Sequence, residues 1–465
     1  MGHYNKGTSL TYAEPSAKLF VLGLLNLFLA VLTNILKKAV AGVHGGYLIK
    51  QSFLITLSLK LGFIMRIFLA GFFLMMIMAI VIHFILPDTY KISLMVKRRL
   101  FCPAYGNPLH LKDGEILPKV KCRCIEKGIY EIEVTTISST VDELQSISGI
   151  VSASLNKKYS RYAVTQTDAD IACNWVSFRI DDVLADRSIK VRSVDELTPK
   201  NPSKLIVQDN AYIDLTTSGS MIFTGKTRSG KTTGVISILL QILLAGRDEY
   251  CSEVVIIDPK KAELSRLPHV FTLDEDGEAR GILEAMRHFA NVSKARQQVL
   301  NDISEQEGDA VHWWDVNMHP CVLFIDEYVA LRSVFPKRAV KDNSDYSLTE
   351  FDSVLKRILT MGASAGCYVI ISIAEASVDE GGLPSILKNA CGTRVLFKPT
   401  KTEAKFLWDA DRYKDMPQRV YRAGNAWFSS TDGIHDMVSY VRFPKMKFRI
   451  YRELGRLLQA YYERA

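Results

Sequence analysis

Eight consecutive residues, Gly225, Lys226, Thr227, Arg228, Ser229, Gly230, Lys231 and Thr232, have the types and spacing needed to wrap backbone amides around phosphate. In this G-x-x-x-x-G-K-T order the glycines let N–H groups turn inward at the start of a helix, where the dipole favours negative charge. Lys231 is placed to reach the β- and γ-phosphates of ATP, Thr232 to offer a hydroxyl to Mg²⁺, and Thr233 completes the ATP-binding set. A second candidate group, Asp326 and Glu327, follows the apolar run Val322–Ile325. Asp326 suits the Mg²⁺ shell, and Glu327 suits drawing a proton from an attacking water. Together they describe a site for hydrolysis of ATP with Mg²⁺ as its companion cation.

Such groups need a rigid frame. The run "SGSMIFTG" enters the phosphate loop as a strand, and "TTGVISILLQILLAG" leaves it as a helix. Val322–Ile325 reads as a buried strand, and "SEVVIIDPKK" as a third, ended by Asp258-Pro259-Lys260. Strand, loop and helix alternate from Leu205 onward. That pattern predicts an α/β fold whose parallel sheet gathers ligands at the carboxyl ends of its strands, and we assign it to residues 201–444. Residues 100–200 read as a small α+β module. "GIYEIEVTTI" and "NWVSFRIDDV" are strand-like, and "TVDELQSISGIVSASLNKKY" is an amphipathic helix opened by Thr140 with Glu143 three residues on. Pro199 and Pro202 mark a linker. Residues 445–465 read as a basic tail helix; its Lys445, Lys447, Arg449, Arg452, Arg456 and Arg464 either contact phosphates or solvate a terminal helix.

The first 99 residues read as a membrane anchor. Ile67–Leu86 carries no formal charge over a length that can span a bilayer, and Leu19–Leu36 is a second, weaker segment interrupted by Asn26, Thr33 and Asn34. The stretch "FLITLSLKLGFIM" between them is expected along the membrane surface. Residues 1–110 hold eleven basic and two acidic side chains, and the rest of the chain holds 47 and 48. The positive excess therefore sits beside the apolar segments, where it matches anionic lipid, with "KRR" at 97–99 as a cytoplasmic anchor. ATP chemistry requires the nucleotide domain in the cytoplasm, so the chain is expected in the cell membrane, multi-pass. The near-neutral remainder excludes a broadly basic nucleic-acid-binding domain, so any such contact has to be a local stripe. The eight cysteines are scattered and read as reduced thiols.

Taken in order and spacing, the phosphate loop, "IDPKKAELSRLPH", "FIDEYVAL", "GASAGCYVIISIAEASVD" and "CGTRVLF" resemble the motor domain of the FtsK/SpoIIIE family over residues 205–440. The resemblance implies a RecA-like P-loop ATPase core that assembles into a ring, usually a hexamer, with ATP between subunits and DNA in the central channel. It also implies that Arg394, in "GTRVLF", reaches a neighbour's γ-phosphate. The family's γ-phosphate-sensing glutamine falls at Ala374, which cannot make that hydrogen bond. The chain ends at Ala465, too soon after the motor for the family's sequence-reading module.

Among FtsK-like proteins the chain is most similar to the coupling proteins of Gram-positive conjugative elements. That likeness implies transfer of a relaxase-bound, single-stranded DNA to secretion-channel proteins. The alternatives are a double-stranded DNA translocase for chromosome or plasmid segregation, a secretion-type ATPase with protein cargo, and a membrane scaffold that binds nucleotide but barely turns it over.

Overall fold

The computed structural model describes residue 4 and residues 14–42, 51–209, 211–337, 345–374, 384–414, 416, 421–433 and 435–463. They fall into two compact units, Met1–Leu184 and Ala185–Ala465.

In the first unit two long apolar helices, Pro15–Gly42 and Gln51–Ile85, run antiparallel. Gly23 lies opposite Phe72, Met75 and Met76, and Gly71 opposite Asn26. Two of the polar interruptions are satisfied inside the helix: Asn26 donates to the Leu22 carbonyl at 3.1 Å and Thr33 to that of Leu29 at 2.7 Å. Both helices exceed the expected 19–36 and 67–86. The segment expected along the membrane surface is continuous with the second helix, because nothing before Pro87 breaks it and Gly62 leaves room for the Lys37 side chain. Its 35 residues span roughly 50 Å at ~1.5 Å per residue.

A new helix, Asp88–Phe101, starts after Pro87 and buries Ile92, Val96 and Leu100 completely. These side chains join Ile132, Val134, Phe178 and Ile180 in one apolar cluster. The expected anchor boundary at residue 99 therefore cuts a core helix, and the module begins near residue 88. Its sheet is antiparallel, in the order Val120–Glu126, Ile129–Thr135, Trp175–Asp182, Tyr162–Ala169. Thr140 and Glu143 form a reciprocal capping box, as their spacing predicts, but the helix they open is two short pieces, Val141–Ser146 and Ser148–Ser154.

The second unit is built on eight strands in the order Val270–Phe271, Val254–Ile257, Cys321–Ile325, Cys367–Ile373, Met221–Thr224, Thr393–Phe397, Asn425–Ser429, Ser439–Arg442. The first six are mutually parallel; Asn425–Ser429 runs antiparallel to them, and Ser439–Arg442 pairs antiparallel with it. Alternate residues face opposite layers. Val255, Ile257, Leu323, Ile325, Val369 and Ile371 pack under the helices Arg280–Glu307 and Leu348–Met361. Val254, Ile256, Val322, Phe324, Tyr368 and Ile370 pack under Lys231–Ala245. Both faces are closed, which is why these strands read as unbroken apolar runs. Buried Gln241 pairs with both backbone groups of Ile206, at 2.7 and 3.0 Å, and so ties the Lys231–Ala245 helix to the hairpin Lys204–Gln208/Ala211–Asp214.

Two expected boundaries shift. Lys190–Val191 pair in parallel with Lys445–Met446, and Asp186 bonds Lys445 at 2.7 Å and Arg442 at 3.1 Å. The Lys445 hydrogen bond is the largest influence holding the Asp186 carboxyl well below the usual carboxylate range. The unit thus starts at Ala185, upstream of the expected linker, and needs residues after 444 to complete it. The tail is part of the core: helix Ile450–Glu463 buries Leu454, Leu458 and Tyr461, Tyr461 donates to Ser252 at 2.9 Å, and Tyr462 donates to the Val254 carbonyl at 2.8 Å.

Leu454→Ala or Leu458→Ala should therefore destabilise the second unit by about 2–5 kcal/mol. Arg456→Gln, on the exposed face, should cost under about 0.5 kcal/mol. Urea unfolding of the three variants checks this; equal midpoints would mean the helix is a surface appendage.

Candidate functional site

The phosphate loop joins the fully buried strand Met221–Thr224 to the helix Lys231–Ala245. Gly230 has φ +95°, and a Cβ there would lie 2.4 Å from the Gly424 nitrogen, so both backbone conformation and close approach require glycine. The Gly424 N–H donates to the Ser229 carbonyl at 2.9 Å, and the Gly225 N–H to that of Ile373 at 3.2 Å. The loop is held from both sides before any ligand arrives.

Residues Lys226 to Thr233, with Glu327 and Ala423, line one cleft of about 340 Å³. Lys231 is buried and its Nζ lies 3.3 Å from Glu327 Oε1; Lys260 Nζ lies 3.4 Å from the other oxygen, Oε2. Glu327 adopts φ +54°, a left-handed conformation rare for a residue with a side chain, immediately before the helix Tyr328–Val334. That turn swings its carboxylate from the strand end toward the loop. Asp326, at the end of Cys321–Ile325, accepts from Ser372 at 2.9 Å. Burial is the main influence raising its pKa; Ser372 and Lys231 counter it, while Glu327 and Asp258 add to it. A buried carboxylate with raised proton affinity is a favourable seat for a cation.

The residues fit a nucleotide polyphosphate. Ser229 Oγ is buried without a hydrogen-bond partner among the described residues, at the centre of the cradle. Bound phosphate would supply that partner. The Thr232 hydroxyl and the Asp326 carboxylate are hard oxygen donors of the kind Mg²⁺ takes, and an ion there would neutralise phosphate charge.

The structure gathers Lys226 to Thr233 and Glu327 around one cleft, with Gly225 leading into the loop and Asp326 next to Glu327 at the strand end. It does not bring Arg394. That guanidinium donates to the carbonyls of Leu407 at 2.6 Å, Lys388 at 3.2 Å and Cys391 at 3.4 Å, and burial lowers its pKa. Three of its five N–H groups tie strand Thr393–Phe397 to its own chain, so within this chain it serves the fold. Ala374 directly follows the strand lying between loop and acids, so no side-chain amide reaches the phosphates from there.

Two contributors escaped the sequence. Lys260 stood in plain view in "DPKK", but its role depends on Asp258. That buried carboxylate accepts from the backbone N–H groups of Lys260, Ala262 and Ser265 at 3.1, 2.9 and 3.0 Å, bending the chain so that Lys260 faces Glu327. Ser372 gave no signal inside an apolar strand.

Residues 187–313 match the FtsK/SpoIIIE family. The DNA translocase FtsK of Helicobacter pylori strain J99 is 26% identical over 220 residues, 45% of this chain and 24% of that protein. The Ftsk domain-containing protein YdcQ of Bacillus subtilis strain 168 is 24% identical over 151 residues, 32% of this chain and 28% of that one. The chain thus spans about a quarter of the length of these curated relatives. Among solved structures, the pCW3 conjugation coupling protein TcpA with ATPγS aligns with a TM-score of 0.46 and 14% identity, covering 74% of this chain and 93% of that chain.

Lys231→Ala should abolish ATP binding without lowering the thermal midpoint by more than a few degrees. Glu327→Gln should keep binding and lose turnover by about 10²–10⁴-fold. Nucleotide titration and steady-state phosphate release separate the two; undiminished turnover in Glu327→Gln would place the base elsewhere. Arg394→Ala should cost about 1–3 kcal/mol of stability, since it strands buried carbonyls. An arginine serving a neighbour's nucleotide would instead leave unfolding unchanged and lower turnover alone.

Proposed function

We propose that this P-loop ATPase, which carries an FtsK/SpoIIIE domain, is a membrane-anchored motor that moves DNA. The observation that carries the reading is the coexistence in one chain of a complete loop-and-acid site and two helices whose apolar side chains face outward. Leu59, Phe84 and Ile85 are 70%, 79% and 74% exposed, which a soluble core helix would not tolerate. The helices hold the chain in the cell membrane as a multi-pass anchor, with the ATPase unit in the cytoplasm. Relatives named DNA translocase supply the cargo class.

In the cleft, Lys231 and Glu327 hold each other. Incoming phosphates compete for Lys231 and release the Glu327 carboxylate, which then accepts a proton from water attacking the γ-phosphate. Mg²⁺ bound through Thr232 and Asp326 supplies charge neutralisation. Lys260 keeps one Glu327 oxygen oriented throughout. Copies of the chain assemble into a ring, a hexamer in our reading, that repeats a few basic groups around a channel.

The finer proposal is a coupling role: a relaxase-bound single strand is received and passed to a secretion channel. It is supported by the two apolar helices, which would set the motor beside a membrane channel. Ala374 favours a second reading, a nucleotide-bound scaffold with little turnover, which steady-state hydrolysis without DNA stimulation would reveal.

The full chain in lipid nanodiscs should hydrolyse ATP faster when DNA is added. DNA affinity should fall steeply with salt, the log–log slope growing by about 0.7 per neutralised phosphate for single strands and about 0.9 for duplex. Titrations on unrelated oligonucleotides of equal length check this. Salt-insensitive binding would argue for a protein cargo, and preference for one sequence for a site-specific DNA binder.

A further inference from the structure

A second cleft, of about 220 Å³, lies in the first unit between the helix Asp88–Phe101 and the turn around Ser154–Lys157. Four cations line it, Lys91, Arg98, Arg99 and Lys157, against one carboxylate, Glu14. Glu14 is already engaged, its Oε1 3.0 Å from His83 Nδ1. Lys91 spends one N–H on the His83 carbonyl at 2.7 Å and keeps two. The guanidinium of Arg99 stands 5.0 Å above the Tyr105 ring and that of Arg98 6.0 Å. Among the described residues none of Arg98, Arg99 and Lys157 has a carboxylate within ion-pair distance. Arg99 Nε is buried and has no acceptor among the described residues. A buried cationic N–H without an acceptor is costly, and an anionic oxygen is the group that would satisfy it.

The cleft is pre-organised. Asp88 accepts from Tyr159 at 2.6 Å, from Lys158 at 2.9 Å and from Tyr130 at 3.3 Å, which fixes the first turn of the helix against the turn bearing Lys157. Its location is equally specific. Glu14 immediately precedes the first apolar helix, and Lys91 lies six residues beyond the end of the second at Ile85. Both helices therefore leave the apolar zone at this cleft, and Leu94 and Met95 give it an apolar wall.

We infer that this cleft binds the phosphate of an anionic membrane phospholipid. The inference rests on the reading of the two helices as a membrane anchor. Lipid is favoured over free phosphate because cations and apolar wall stand together at the membrane boundary, and over DNA because the cleft admits a headgroup rather than a strand.

The test is native mass spectrometry of the full chain, titrated with phosphatidylglycerol and with phosphatidylcholine. Wild-type protein should retain phosphatidylglycerol preferentially. Arg98→Gln with Lys157→Gln, both exposed, should weaken it about 25-fold, near fivefold for each cation removed at a membrane surface. Arg99→Gln should weaken it at least fivefold. Lys97→Gln, on the same helix but outside the cleft, should stay within twofold. An equal loss for Lys97→Gln would reduce the site to diffuse surface charge and overturn it. So would displacement of the lipid by inorganic phosphate or by a DNA oligonucleotide at matched concentration. A protein that enters phosphatidylcholine nanodiscs but shows no lipid preference refutes the cleft alone, whereas one that enters no bilayer refutes the anchor and the cleft together.

Discussion

The central sheet of the second unit is sealed on both faces, and much of the unit's chemistry follows from that. With alternate residues of each inner strand committed to one apolar layer or the other, polar side chains find room chiefly where the strands end. At the carboxyl edge the phosphate loop, Asp258, Asp326 and the Ser372–Ala374 segment come into line. The strand Cys367–Ile373 separates the loop strand from the acid strand, so loop and acids stand two inter-strand steps apart, roughly 9–10 Å. One lysine side chain spans most of that distance, and Lys231 does so by meeting Glu327.

That contact gives the cleft a defined resting arrangement. A buried lysine needs a counter-charge, and the carboxylate proposed above to activate water gains a fixed position from the same contact. One ion pair serves both needs. The second lysine, Lys260, is half exposed and therefore screened by solvent, so it orients Glu327 more than it stabilises the fold. The unusual backbone of Glu327 belongs to the same arrangement: local conformational cost is accepted where the carboxylate has to leave the strand direction.

The sequence disclosed what depends on short spacing. Gly225 to Thr233 could be read directly, because a phosphate cradle is made by consecutive amides, and Asp326 and Glu327 stood out because two acids end an apolar run in a chain that already carries a full phosphate loop. The capping box of Thr140 and Glu143 was legible for the same reason. Contacts between distant residues were not. Ser372 reaches Asp326 across strands, and Lys260 is aimed by three backbone bonds to a buried carboxylate. Arg394 is a different case: the family resemblance gave its position a role toward a neighbouring subunit, and its three bonds to the carbonyls of Leu407, Lys388 and Cys391 could not be read from the sequence. The boundaries at residues 99 and 201 failed because charge and proline mark surface and turns, not the reach of a core. Ile92, Val96 and Leu100 alternate with "KRR", and the strand Lys190–Val191 needs a partner roughly 250 residues away.

That last pairing sets the order of events during synthesis. The two apolar helices and the α+β module are complete in sequence once residue 184 has been made, and can fold while the ribosome is still working. The ATPase unit cannot close until Lys445–Met446 meet Lys190–Val191 and Tyr461 and Tyr462 latch onto the edge of the sheet. Closure over so long a loop adds only a few kcal/mol of entropy but slows the search for the native pairing. In the anchoring proposed above, a nascent chain would reach the membrane before its second unit is finished.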